Sequence, residues 1–131
     1  MGGHGALTIA LKNASSYQSV SAFSPIVNPM DCPWGQKAFT TYLGTNEDDW
    51  LEYDTCKLLD KSKSIIPCMI EQGLSDNFLV EQLKSENLLD VAALNGVELN
   101  YQAHEGYDHS YYFISSFIEQ HIAFHAAHLN R

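Results

Sequence analysis

Basic residues are scarce in this 131-residue chain: seven Lys and Arg stand against 16 Asp and Glu, for a formal net charge of −9. Nucleic acid and anionic membrane surfaces both need a clustered positive surface, so neither is an expected partner. Cysteine is scarce too. Cys32, Cys56 and Cys68 are odd in number and form no CxxC pair, which argues against a zinc ribbon or a redox dithiol and reads as packed thiols. Long apolar runs are lacking, so no membrane span is expected, and no apolar h-region near the start marks a secretory signal. Met1-Gly2 invites a check for myristoylation, but Ala6 stands where Ser or Thr is required. A reducing, cytoplasmic setting is the expectation. Internal repeats and low-complexity tracts are also lacking.

What is present suits a folded domain. The chain is 45% hydrophobic, its length fits one domain, and size scaling gives burial of roughly two thirds of the unfolded surface. Glu47, Asp48, Asp49, Glu52 and Asp54 concentrate the acid in one stretch, which reads as a solvated helix face. Ala6, Leu7, Ile9, Ala10 and Leu11 predict an apolar helix ending near Lys12-Asn13. Three glycines at its start suit a helix only where another backbone must come close. Val20, Ala22 and Phe23 predict a short strand stopped by Pro25. A long excursion from Ser24 to Gly44 follows, with a helix over 36–43, then an acidic helix over 47–59 capped by Thr45 or Asn46. A buried strand centred on 65–70, a helix from Asp76 or Asn77 to about Leu94 closed by Asn95-Gly96, a strand over 97–103 and an amphipathic terminal helix complete the order. Strands alternating with helices predict an α/β fold with a small parallel sheet. Its first strand would have an uncovered side, a sign that something is missing.

In α/β folds, sites form after the carboxyl ends of parallel strands. Asp76, in EQGLSDNFL, follows the second strand, and His109, in HEGYDHSYYF, follows the third. Acid before histidine is the chain order of an α/β-hydrolase triad, in which the nucleophile comes first. The carboxylate would hold one imidazole nitrogen and leave the other to deprotonate the nucleophile. An ordinary helix cap is the alternative reading of Asp76. Asp108 adjoins His109 but adjacent side chains rarely aim at each other, so Asp76 is the better partner. The nucleophile elbow of such enzymes reads G-x-S-x-G, and Met1-Gly2 would be its last two residues, with G-x-S immediately before Met1.

Met1-Gly2-Gly3-His4-Gly5-Ala6-Leu7 closely resembles the segment that follows the nucleophile in the S-formylglutathione hydrolase, or esterase D, family. SAFSPIVNPMDCPWGQKAFTTYLG, EQGLSDNFL and GYDHSYYFISSFIEQHIAFHAAHL are similar to that family as well, so the likeness covers essentially the whole chain. It implies an α/β-hydrolase fold of which residues 1–131 form the C-terminal part, with the last three parallel strands. It also implies a thioesterase and carboxylesterase that hydrolyses S-formylglutathione to formate and glutathione in formaldehyde detoxification, without metal or cofactor. Asp76 matches the triad acid, His109 the general base, and Met1 the residue whose backbone N–H helps form the oxyanion hole. Trp34 and Lys37, in CPWGQKAF, match a loop at the substrate entrance, Lys37 meeting a glutathione carboxylate and Trp34 packing beside the acyl site. An ordinary packed indole is the alternative for Trp34. A small-molecule thioester is the expected partner, and a homodimer of the whole enzyme is allowed.

The sequence departs from the family where it matters most: no G-x-S-x-G occurs, and neither Ser75 nor Ser110 stands at a strand-to-helix elbow. The expectation is therefore a fragment that lacks the early strands, the serine and the second oxyanion donor, and is close to inert alone. An interaction module that pairs its first strand with another chain is the competing reading. An exposed apolar edge along 20–23 and the first helix is expected with it. Two further constellations are weaker. His121, His125 and His128 make one helical stripe, read as a packed or solvated face before a zinc site. Gly2-Gly3-His4 could offer planar nitrogens to Cu(II) or Ni(II) if Met1 were removed, although the helix would compete for them.

Overall fold

In the computed structural model, residues 1–129 are described. Three parallel strands, β1 (Val20–Phe23), β2 (Cys68–Gly73) and β3 (Asn100–His104), pair in the order β1-β2-β3. Val20 and Ala22 lie opposite Cys68 and Ile70, and Met69 and Gly73 lie opposite Asn100 and His104. Five α-helices flank the sheet: α1 (Gly2–Lys12), α2 (Pro33–Leu43), α3 (Thr55–Ser62), α4 (Ser85–Leu94) and α5 (Tyr111–Leu129). Successive strand residues face opposite sides, and Val20, Ala22 and Ile70 join Leu7 of α1, Leu59 of α3 and Leu88 of α4 in one buried core. The other face, with Ser21 and Phe23, receives α5 through His121. This is the α/β architecture the sequence predicts, with the sheet between two helical layers.

Gly3 explains the glycine-rich start of α1. A Cβ there would stand 2.9 Å from the Phe23 carbonyl oxygen and 3.0 Å from Pro25, so α1 seats against the end of β1 only with glycine at that position. α2 begins three residues earlier than expected, with Pro33 in its first turn and the Cys32 sulfur accepting the Gly35 N–H.

Several boundaries differ from the expectations, each for a physical reason. β2 starts at Cys68 rather than at Ile65, because Ile65 and Ile66 pack on the core as a lead-in and only Pro67 and its successors reach the ladder. β3 starts at Asn100 for the same reason, Val97 and Leu99 being packed before pairing begins. Apolar content marks burial, whereas strand pairing also needs a neighbour. The acidic helix is two elements: a 3-10 helix over Glu47–Tyr53, then α3. Asp54, between them, is no solvated acid. It is fully buried, accepts from the Lys57 N–H with Oδ1 as the cap of α3, and takes the Asn28 amide and the Met30 N–H on Oδ2. The helix expected from Asp76 to Leu94 is interrupted at Lys84, where φ is +58°, dividing a wide turn over Leu79–Leu83 from α4.

The uncovered first strand is present, with a correction. β1 is at the sheet edge, but Val20 and Ala22 are buried beneath α1. The exposed apolar edge expected along 20–23 is thus not found on the strand, whereas that expected on the first helix is, at Ile9, and α5 adds Ile118 and Ile122. The buried members of α5 are Phe113 and His121, so aromatic rings anchor the expected amphipathic terminal helix. No described helix is long and apolar enough to cross a membrane.

Candidate active site

The carboxyl ends of β2 and β3 are drawn together by backbone. A Cβ on Gly73 would collide with the Tyr107 carbonyl, so glycine alone lets the 105–110 loop close over the end of β2. The Leu74 N–H then donates to His104 O and the Ser75 N–H to Tyr107 O, each at 2.9 Å. Those bonds carry the Asp76 turn and the His109 loop to one another. His109 Nδ1 stands 2.7 Å from Asp76 Oδ2, the carboxylate shielded from solvent and the imidazole 44% exposed.

An ionised carboxylate can only accept, so Nδ1 carries the hydrogen and Nε2 keeps a free lone pair. Asp76 Oδ1 meanwhile accepts the Phe78 N–H at 2.9 Å, so the capping and pairing readings of Asp76 both hold, one on each oxygen. Asp108 is exposed and takes no part in the pair. His109 borders a cavity of about 600 Å³ together with Met1, Gly2, Ser21, Phe23 and Ile118. Met1 is thereby brought to the same cavity as His109, itself 91% exposed. Among the described residues, neither Ser75 nor Ser110 bonds to the imidazole.

Trp34 reaches the pair through an intermediary. Its ring packs on Phe78 with centroids 4.7 Å apart, and Phe78 meets the His109 ring edge to face at 5.5 Å. The Trp34 N–H donates to Gln82 Oε1 at 3.0 Å, fixing the start of α2 against the wide turn. Half-exposed, Trp34 is not an ordinary core indole. Lys37 is exposed on the next turn of α2, and among the described residues it makes no side-chain hydrogen bond or ion pair.

Sequence reasoning missed Phe78, the link in that row of rings. An apolar side chain two residues after a candidate acid was the available signal. It also missed a second histidine–carboxylate pair: His104 Nε2 lies 2.7 Å from Glu71 Oε2, with the His104 ring stacked on Phe117 at 3.8 Å. Burial pushes the Glu71 carboxyl above its ordinary range, and the His104 contact pulls it partly back. A charge inside a buried apolar strand was the signal there.

The histidine stripe of α5 is tied to the sheet. His121 stacks on Phe23 at 3.9 Å, and its Nδ1 shares the Ser21 hydroxyl with His125 Nε2, each at 2.8 Å. His125 Nδ1 meets the Ser19 hydroxyl at 2.7 Å, and His128 Nδ1 donates to the Phe124 carbonyl. Each ring nitrogen so engaged is withdrawn from a metal. Among the described residues no three His, Cys, Asp or Glu side chains gather as a metal site would need. His4, of the Gly2-Gly3-His4 start, is likewise occupied, Nε2 lying 2.7 Å from the Tyr53 carbonyl.

The esterase family's sequence pattern matches residues 1–124. Among solved structures, an S-formylglutathione hydrolase from Agrobacterium tumefaciens is 41% identical and superposes with a TM-score of 0.93, over 98% of this chain and 46% of that one. An S-formylglutathione hydrolase from Staphylococcus aureus is 22% identical with a TM-score of 0.66, over 95% of this chain and 47% of that one, and shows the shared fold. The chain thus spans about half the length of both. The pattern of residues, the parallel sheet and the extent of these likenesses agree: this chain belongs to the esterase family and has the fold of an α/β-hydrolase.

Proposed function

We propose that Asp76 and His109 are the acid and base of a serine esterase of the S-formylglutathione hydrolase kind, and that residues 1–131 are the C-terminal part of its single catalytic domain. The nucleophile comes from outside these residues. What supports this is the 2.7 Å contact between a buried carboxylate and Nδ1 of an imidazole whose other nitrogen is free, at the ends of two parallel strands. The likeness to the Agrobacterium tumefaciens enzyme adds the substrate class.

In the reaction so assigned, Asp76 holds the imidazole by Nδ1–H and stabilises the imidazolium that forms when Nε2 takes the serine proton. The serine oxygen attacks the formyl carbonyl, and the backbone N–H of Met1 donates to the oxyanion. His109 returns the proton to the departing glutathione sulfur. Water, deprotonated by the same nitrogen, then releases formate and restores the serine. The Trp34–Phe78 surface beside His109 lines the acyl side, and Lys37 faces a glutathione carboxylate at the entrance. The setting is cytoplasmic.

Replacing His109 by Ala in the whole enzyme lowers S-formylglutathione turnover by about 10³-fold or more. Unchanged turnover would remove His109 from the mechanism. The 131-residue chain by itself is expected to take no fluorophosphonate label. A labelled chain of this length would show instead that it holds its own nucleophile.

A further inference from the structure

β2 carries two consecutive polar side chains, Glu71 and Gln72, into the interior, and both are fully buried. They face opposite sides of the sheet. Glu71 is answered by His104. Gln72 stands on the side of the Asp76 turn, where its Nε2 lies 3.0 Å from Gly73 O and 3.2 Å from Asp76 Oδ2. Both neighbours are acceptors, which fixes the amide: turned over, Oε1 would confront two oxygens.

In the orientation that remains, Oε1 is buried and has no partner among the described residues. An orphaned acceptor in the interior is destabilising, and an aliphatic or thioether side chain of similar volume would avoid it. What glutamine supplies at this position is a hydrogen to Oδ2, the same oxygen that accepts from His109 Nδ1. With Phe78 N–H on Oδ1, three donors hold one carboxylate. Phe78 follows in the turn and His109 lies on the loop after β3, whereas among the described residues it is Gln72 that reaches Asp76 from β2.

We propose that Gln72 is a positioning residue for the Asp76–His109 pair, its amide holding Oδ2 where it meets Nδ1 and sharing the charge that Oδ2 offers the imidazole. This rests on the functional reading given above. Removing the amide hydrogen leaves Oδ2 to the imidazole alone and strengthens its hold on the protonated ring.

The test is an NMR titration of the His109 ring in the unaltered protein and in Gln72→Met, Gln72→Glu and Asp76→Asn, with a urea melt of each. Gln72→Met keeps the length of the side chain and removes both the donor and the orphaned acceptor. It is expected to raise the His109 midpoint without loss of stability. Gln72→Glu, buried against the Gly73 carbonyl and the Asp76 carboxylate, is held protonated. Its O–H can donate to Oδ2 in place of the amide, so it is expected to bring the midpoint back toward that of the unaltered protein. A midpoint that is unmoved or lowered in folded Gln72→Met overturns the proposal, as does a loss of stability with no change in titration, which is what a filling role gives. Asp76→Asn separates the two readings. If it lowers the midpoint while Gln72→Met does not raise it, Gln72 alone loses its role. If Asp76→Asn leaves the midpoint in place, the Asp76–His109 pairing itself fails.

Discussion

At the scale of single residues, the two oxygens of Asp76 divide the labour: one organises its own turn, the other meets a histidine from a distant loop. Asp76→Asn keeps the cap and removes the charge. In the whole enzyme it is expected to lower thioester turnover by roughly 10³–10⁴-fold with the fold intact, measured as release of glutathione from S-formylglutathione. A variant that hydrolyses at the unaltered rate would show that the carboxylate is only a cap. The cysteines belong to this scale as well. Burial pushes the Cys68 thiol up to about 12, and the Cys56 thiol beyond it with help from Asp54. Burial raises Cys32 too, its largest effect outweighing the Gly35 N–H that favours the thiolate. A thiol reagent at pH about 8 should leave Cys56 and Cys68 unmodified in the native chain and modify them after denaturation, because the thiolate is the reactive form. Rapid native labelling of Cys68 would contradict its burial.

At the scale of elements, close backbone contacts decide the geometry. Gly73→Ala places a methyl against the Tyr107 carbonyl, which can be relieved only by moving the 105–110 loop away from β2. His109 is carried on that loop, so in the proposed whole enzyme the variant should lose turnover far more than stability, a contrast read from a rate assay beside a urea melt. Asp54→Ala has the opposite signature. It strips the cap from α3 and leaves the Asn28 amide without its acceptor, costing about 2–4 kcal/mol of stability. Asp54 touches neither His109 nor Asp76, so turnover per folded molecule should hold. Equal melting of Asp54→Ala and the unaltered chain would mean that these bonds are replaced on mutation.

At the scale of the whole molecule, α5 is fastened to the sheet through neutral histidines. Burial, aided by His125, lowers the His121 ring from the ordinary 6.5 to about 4. Burial lowers His125 as well, with His128 adding to it. Two imidazoles sharing the Ser21 hydroxyl cannot both be protonated without opposing each other. Between pH 6.5 and 4 the unfolded chain binds a proton at His121 that the folded one does not. The contribution to stability is thus complete above 6.5 and falls as the pH drops toward 4, by on the order of 3 kcal/mol at His121. Urea melts at about pH 7 and pH 5 should show the loss, and His121→Phe should flatten the slope between them. A melt that does not change with pH in the unaltered chain would refute the neutral clamp.

The sequence by itself determined the order of the strands and main helices, because helix and strand patterns, glycine turns and proline stops act within a few residues of each other, although it joined two pairs of elements that the fold separates. It also marked Asp76 and His109 as residues after strand ends, and the glycine-rich start of α1 as a place of close backbone approach, which the structure shows at Gly3 and not at Gly2 or Gly5. What it could not determine is which residues meet across the chain. Ile65 and Val97 are as apolar as the residues that pair, yet pairing begins at Cys68 and Asn100, where a neighbouring strand lies within reach. Asp54 looks like its acidic neighbours, yet it is interior because Asn28 and Met30 come to it from another segment. Phe78's place between Trp34 and His109, and the Glu71–His104 pair, arise only when β2, β3 and α2 are assembled. Tertiary structure decided these because burial and hydrogen bonding depend on distances between groups far apart in sequence, and no local pattern encodes them.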